Sequence, residues 1–172
     1  ELYREFTGTL SFATMFSGVG VGLNINLNNV AISRYGSASA VGIDVGILIP
    51  VVNQIHWGIS AKNINAPTIG VSRESLPQSF STGVSYNPLD GLMFAVDYQK
   101  DLKFDAAIKS GVEYWIVDAV AIRAGLTDQP STYSGGFGLR YSLVQIDYAF
   151  FSHQELGITH QASVSIRWGG GE

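Results

Sequence analysis

Two histidines and a glutamate, His153, Glu155 and His160, lie close together near the end of the chain. Imidazole and carboxylate groups are common zinc ligands. Their spacing, however, matches neither the helical H-E-x-x-H motif nor a zinc-finger pattern, and the chain contains no cysteine. We therefore predict a polar reversal of the chain here and no metal site.

A second set of residue types could support hydrolysis. Ser152 precedes His153, but no G-x-S-x-G nucleophile elbow is present. Asp97 and Glu113 could act as the paired carboxylates of a glycosidase. Basic residues such as Arg123 occupy similar mid-strand positions, which favours salt bridges over catalysis. We predict no catalytic residue and no enzymatic activity.

Glycines alternate at Gly18, Gly20 and Gly22, which superficially resembles a dinucleotide-binding loop. The G-x-G-x-x-G spacing fails, and no helix pattern follows. Small strand residues that face a crowded interior explain the glycines better, so we predict no cofactor. The net charge is −4 and no basic run occurs, which argues against nucleic acid as a partner.

The elements that would carry these residues are β-strands. Apolar and small polar residues alternate with period two along most of the chain, for example from Val19 to Asn28 and from Val144 to Phe151. Successive side chains of a strand point to opposite faces, so each segment has one apolar and one polar face. The pattern predicts about eleven strands and almost no helix. The segments are approximately 2–15, 19–33, 39–52, 54–65, 79–86, 92–100, 104–116, 119–127, 133–142, 144–152 and 158–168.

Composition decides which face meets the solvent. Charged residues make up 14% of the chain, well below the roughly 25% of soluble domains. The predicted strands are about 9–14 residues long, which suits strands that cross a membrane. We predict an all-β, antiparallel, up-and-down transmembrane β-barrel whose apolar face meets lipid. The alternative is a soluble, lipocalin-like barrel whose apolar face points inward.

The polar face carries charges of both signs in the middle of strands. In a narrow lumen, inward charges of mixed sign are tolerated when they pair with one another. We predict a luminal charge network. Its members are Asp44, Lys62, Asp97, Lys109, Glu113, Arg123, Arg140, Asp147 and Arg167.

Several segments resemble PorV/PorQ-like proteins, which belong to the FadL-like outer-membrane barrels. The most specific is SHQELGITH before the last strand, and SASAVGIDVGILIPV and GISAKNINAP are also similar. The resemblance covers essentially the whole chain. It implies the outer membrane of a Gram-negative bacterium and either of two activities. PorV-like members bind secreted cargo in type IX secretion, whereas FadL-like members pass hydrophobic small molecules.

The chain departs from this family at its start. It lacks the small-residue segment and NPAG-like motif that form the early strands and hatch of family members. Single-chain bacterial barrels also have an even number of strands, whereas about eleven are visible here. We therefore expect residues 1–172 to form one barrel domain that is part of a larger, even-stranded barrel.

The expected function is non-enzymatic. Cargo binding in secretion is the first candidate, passage of hydrophobic small molecules the second, and a soluble ligand-binding barrel the third. The expected partners are outer-membrane lipid, together with secreted proteins or hydrophobic solutes. Contact residues for cargo would lie on the long proline-containing outer loop and on the last outer reversal. These candidates are Arg73, Glu74, His153 and Glu155.

Overall fold

The computed structural model describes residues 3–32, 36–70, 73–153 and 157–167, and these residues are almost entirely β-strand. The long strands follow one another with short connections. They are β1 (Tyr3–Phe16), β2 (Val19–Ile32), β3 (Gly36–Val52), β4 (Ile55–Lys62), β7 (Ser79–Leu89), β8 (Leu92–Asp101), β9 (Ala107–Val117), β10 (Val120–Thr127), β11 (Thr132–Tyr141), β12 (Val144–His153) and β13 (Gly157–Ile166). Two short strands, β5 (Thr68–Ile69) and β6 (Glu74–Ser75), lie between β4 and β7.

Eleven strands form one sheet in chain order, β1-β2-β3-β4-β7-β8-β9-β10-β11-β12-β13, and β5 pairs only with β6. This up-and-down order confirms the fold class predicted from the sequence. No helix in the described part of the chain is long and apolar enough to cross a membrane. By internal contacts the chain divides into two compact units. The first contains Glu1–Val51, His56–Thr82 and Gln99–Asp105, and the second contains Val52–Ile55, Gly83–Tyr98 and Ala106–Glu172.

Turn chemistry fixes the register of the first hairpin. Ser17 and Gly18 both have positive φ, 50° and 83°, which is the backbone of a type I′ turn. Such a turn matches the twist of the flanking strands, and it pairs Phe16 with Val19. The turn lies in the interval between the predicted segments 2–15 and 19–33.

Four predicted boundaries were wrong by three residues: β3 begins at Gly36 and not at 39, β9 begins at Ala107 and not at 104, and the ends of β7 and β4 also differ. β7 does not stop before Asn87, because the Asn87 N–H donates to the Gln54 carbonyl at 2.8 Å and the strand continues to Leu89. β4 ends at Lys62 and does not reach Asn65. Asn63 has a φ of 53°, which turns the chain out of the sheet. The Asn65 side chain then binds the Ile43 N–H and the Val41 carbonyl, in place of a further strand residue.

Cross-strand register sorts the side chains of the first unit onto two faces. Leu10 pairs with Ile25, which pairs with Ile43 on the next strand, so one face is apolar. Thr9, Asn26 and Gly42 align in the same way on the other face. We call these the apolar face and the polar face. Along the middle of β2 the apolar residues are exposed and the polar residues are half-buried.

The second unit has the same arrangement. Ile122 lies between Tyr114 and Phe137, and Arg123 between Glu113 and Gly136. Ile122 is 48% exposed, whereas Arg123 is half-buried. The apolar face is thus the more open face in this unit as well.

The large apolar side chains do not form an interior core. Among the described hydrophobic residues only Ala40, Ala107 and Ala121 are buried, and no large side chain is fully buried. A soluble barrel would place its Val, Ile, Leu and Phe side chains inside. Here they form the exposed face, which is the arrangement of a transmembrane barrel and not of the soluble alternative.

Candidate functional site

Three charged residues of the second unit meet on its polar face. Arg123 on β10 donates from Nε to Glu113 Oε2 on β9 at 2.5 Å and from Nη1 to Asp147 Oδ1 on β12 at 2.7 Å. The side chains are 30%, 25% and 23% exposed, respectively. A guanidinium held between two carboxylates is a charge-assisted, geometrically specific contact. Of the nine residues predicted to form a luminal network, the structure brings these three into direct contact.

Glycine makes the longer of these contacts possible. Arg123 and Asp147 are separated by β11, where Gly138 is the cross-strand partner of Asp147. An added Cβ at Gly138 would lie 2.6 Å from Asp147 Oδ1 and 3.0 Å from Arg123 Nη1. Because Gly138 has no side chain, the Arg123 guanidinium can reach across β11 to Asp147.

We expect Gly138→Ala to destabilise the protein by about 1–2 kcal/mol, because the new methyl group overpacks a restrained ion pair. Gly111→Ala is the matched control, since its added Cβ would meet only the Ala124 carbonyl, at 3.4 Å. Urea unfolding in lipid vesicles measures both variants. Equal stability of the two would show that the ion pair does not need the gap.

Neighbouring side chains extend the site. Glu113 also accepts a hydrogen bond from Trp115 Nε1 at 2.8 Å. The Arg140 guanidinium lies 4.0 Å from the centre of the Trp115 ring, a cation–π contact. Gln145 accepts two hydrogen bonds from Arg140 and donates two to Asp147. We call the connected set the Arg123 cluster. It consists of Glu113, Trp115, Arg123, Arg140, Gln145 and Asp147.

The Arg123 cluster holds its charges in place. Both carboxylates are occupied by Arg123 and by a second donor, and no described side-chain polar atom that is fully buried lacks a hydrogen-bond partner. Satisfied polar networks stiffen the structure that contains them. The cluster is therefore suited to filling and bracing a polar face, not to acid–base or nucleophilic chemistry.

The other predicted network members lie apart from this cluster. Within residues 3–32, 36–70, 73–153 and 157–167, the ion pairs are the two made by Arg123. Asp97 extends over Gly83, where an added Cβ would overlap its carboxylate. Lys62 and Lys109 are exposed and make no ion pair in the described part of the chain. Arg167 borders a cleft at the end of β13.

Asp44 belongs to a separate site in the first unit. Its Oδ2 accepts from Asn26 Nδ2 at 2.8 Å, and its Oδ1 accepts from the Asn63 N–H at 2.9 Å. Asn63 in turn donates to the Pro77 carbonyl at 2.6 Å, and Gln78 Nε2 donates back to the Asn63 carbonyl at 2.9 Å. Asp44 thus holds Asn63 at the start of the segment between β4 and β7, and Asn63 in turn holds the end of that segment at Pro77 and Gln78.

That segment, described over 63–70 and 73–78, begins with Asn63 against the polar face of β3; we call it the fold-back segment. Gly42 on this face is buried, and an added Cβ there would overlap the Asn63 side chain. The sequence predicts a long proline-containing outer loop here, and the structure shows that part of it is regular. It contains the β5–β6 pair, in which Ile69 is opposite Glu74.

We expect Asp44→Ala to loosen the fold-back segment, because the Asn26 amide and the Asn63 N–H each lose an acceptor, at about 1–3 kcal/mol. Trypsin should then cut after the exposed Arg73 several times faster. Ser39→Ala is the control, since it removes a hydrogen bond of the same strand to Asn29. An unchanged cleavage rate in Asp44→Ala would contradict the anchoring role.

A hydrogen-bonded ladder of neutral residues beside Asp44 was not predicted from the sequence. Thr7 donates to Asn28 at 3.0 Å and Thr9 donates to Asn26 at 2.8 Å across β1 and β2. The sequence feature that indicates this ladder is the alternation of asparagines along β2, which lie opposite threonines of β1. Cross-strand pairs of this kind stabilise a sheet without any charge.

Comparison with known proteins supports the fold alone. No family model matches the chain, and no curated protein matches it. A solved structure of a mutant porin of Rh. blastica is similar, with a TM-score of 0.55 at 13% sequence identity. The match covers 93% of this chain and 55% of that porin, so the chain spans little more than half the porin's length. The arrangement of strands is that of a porin-like membrane β-barrel.

The remaining candidates are distributed as follows. Arg73 and Glu74 are exposed on the fold-back segment. The His153 side chain and Glu155 lie outside the described residues. His160 is on the apolar face, where its Nδ1 lies 2.6 Å from Tyr148 Oη. Among the described residues no group of three or more metal-ligating side chains comes together.

Proposed function

We propose that this chain is part of an outer-membrane β-barrel that functions in transport. One observation carries the proposal, namely that the two faces are inverted relative to a soluble protein. Large apolar side chains such as Leu126 are exposed on one face, while Arg123 and its two carboxylates are half-buried on the other. Lipid is a suitable environment for the exposed apolar face, and a narrow lumen is a suitable environment for the half-buried charged face.

Within transport, a secretion role like that of PorV-like proteins is the first candidate. The Arg123 cluster covers part of the polar face in its unit, and Asn63, at the start of the fold-back segment, covers Gly42 on the polar face of the other unit. This favours a filled lumen over an open pore. Contact with an exported protein would then use the exposed part of the fold-back segment, where Arg73 and Glu74 are neighbouring charged residues.

Passage of hydrophobic solutes is the second candidate. The residues that line the polar face weigh against it. They are mainly glycine, serine, asparagine and threonine together with paired charges, whereas an apolar ligand needs an apolar pocket.

Membrane fractionation followed by cargo capture tests the proposal. The protein should remain in the outer-membrane fraction after washing at high salt and high pH, and detergent should be needed to extract it. Release into the aqueous phase would contradict the membrane assignment. If exported proteins copurify with the extracted barrel, the Arg73→Ala/Glu74→Ala variant should reduce their recovery, with Asp90→Ala, on a short turn between β7 and β8, as the control. No copurifying exported protein would reject the secretion role and leave passage of solutes.

A further inference from the structure

A cleft of about 190 Å³ lies where β11, β12 and β13 meet the β11–β12 turn. Arg140, Gln145, Ser165 and Arg167 contribute to its wall, and Ser142 of the turn closes one side. Gln145 pairs with both Arg140 and Ser165 across the strands, so these three share the polar face. Arg167, the residue after the end of β13, also borders the cleft.

The cleft has an excess of positive charge. On this part of the polar face three guanidinium groups accompany two carboxylates, and both carboxylates bind Arg123. Arg140 meets a neutral acceptor, the Gln145 amide oxygen, at 3.2 Å and 3.1 Å. Arg167 makes no side-chain ion pair or hydrogen bond with the described residues. Within the described part of the chain, the two guanidinium groups that border the cleft therefore make no direct contact with a carboxylate.

One of the two is also held in position. Arg140 stacks on Trp115, and Gln145 fixes the side of the guanidinium formed by Nε and Nη2. Its Nη1 has no partner among the described residues and remains available. A positioned arginine loses little conformational freedom when it binds a ligand, and its planar fork matches the oxygens of phosphate and carboxylate groups.

We propose that the cleft binds an oxyanion of the phosphate type between Arg140 and Arg167, with hydroxyl groups such as Ser142 and Ser165 as further donors. The phosphate can come from a free phosphorylated solute or from the headgroup of a lipid. The site does not depend on the secretion role. It uses only groups on three neighbouring strands of one unit.

The test uses the protein purified in a neutral detergent, with inorganic phosphate followed by isothermal titration calorimetry. Arg167→Gln is the main variant, because Arg167 makes no side-chain hydrogen bond or ion pair with the described residues whose loss would destabilise the protein. Lys109→Gln is the control, since it removes one positive charge from the polar face away from the cleft. Micelles that contain phosphatidic acid provide the second probe, and a circular dichroism spectrum verifies that each variant is folded.

We expect saturable binding that weakens at least tenfold in Arg167→Gln and is unchanged in Lys109→Gln. Binding of inorganic phosphate would identify a free solute as the source, and Arg167-dependent binding of phosphatidic acid alone would identify a lipid headgroup. Either result supports the site. Absence of binding by both probes, or equal binding by the wild type and Arg167→Gln, would overturn it.

Discussion

Replacing Arg123 by methionine should lower the free energy of unfolding by about 2–3 kcal/mol. The substitution leaves Glu113 and Asp147 facing each other on a half-buried surface without their shared cation. Breaking a buried pair by removing one partner costs about 3–5 kcal/mol, and the partial exposure of these side chains reduces that figure. Chemical denaturation in lipid vesicles, followed by tryptophan fluorescence, provides the measurement.

Two further variants separate charge imbalance from lost packing. Lys109→Met removes a cation from the same face that makes no ion pair with the described residues, and it should change stability by less than about 0.5 kcal/mol. The triple variant Glu113→Gln/Arg123→Met/Asp147→Asn removes all three charges and should recover most of the loss. If the triple variant were as unstable as Arg123→Met alone, the cost would lie in packing and not in unpaired carboxylates.

Ala162→Arg should be strongly destabilising, whereas Gln161→Arg should be nearly neutral. The two residues are neighbours at the centre of β13, both are exposed, and they lie on opposite faces. An arginine on the lipid face near the bilayer midplane costs about 2–4 kcal/mol, and a lumen-facing one costs much less. Vesicle refolding yields and denaturation midpoints report the difference.

The outcome of this pair distinguishes the two faces directly. Equal stability of Ala162→Arg and Gln161→Arg would mean that both side chains meet water. A larger loss in Gln161→Arg would mean that the faces are reversed. Neither result is compatible with lipid on the apolar face.

The order of the strands and the face of the sheet on which each side chain lies could be predicted, because both depend on local patterns. A period of two and a few turn residues locate all eleven long strands, including the type I′ turn at Ser17-Gly18. The β4 boundary was missed for a physical reason. Asn65 continues the hydrogen bonding to β3 with its side chain instead of its backbone. This can be recognised only when the neighbouring residues of β3 are known.

The pairing of charges could be predicted only in part. The sequence shows that Glu113, Arg123 and Asp147 share a face, but the register of four strands decides which of nine charged residues touch. The reach of Arg123 across β11 also depends on Gly138, whose absent side chain carries no signal in a hydropathy pattern. Asp44 similarly depends on Asn63, which lies on the next strand connection.

Spin labelling along β13 tests the orientation of the faces most directly. The chain has no cysteine, so single cysteines at residues 159–164 can each carry a nitroxide without background labelling. In lipid vesicles we predict that labels at His160, Ala162 and Val164 collide mainly with oxygen dissolved in the bilayer. Labels at Thr159, Gln161 and Ser163 should collide mainly with a water-soluble nickel complex. Accessibility that alternates with period two is the predicted result, and uniform exposure of all six positions to the nickel complex would contradict a transmembrane barrel.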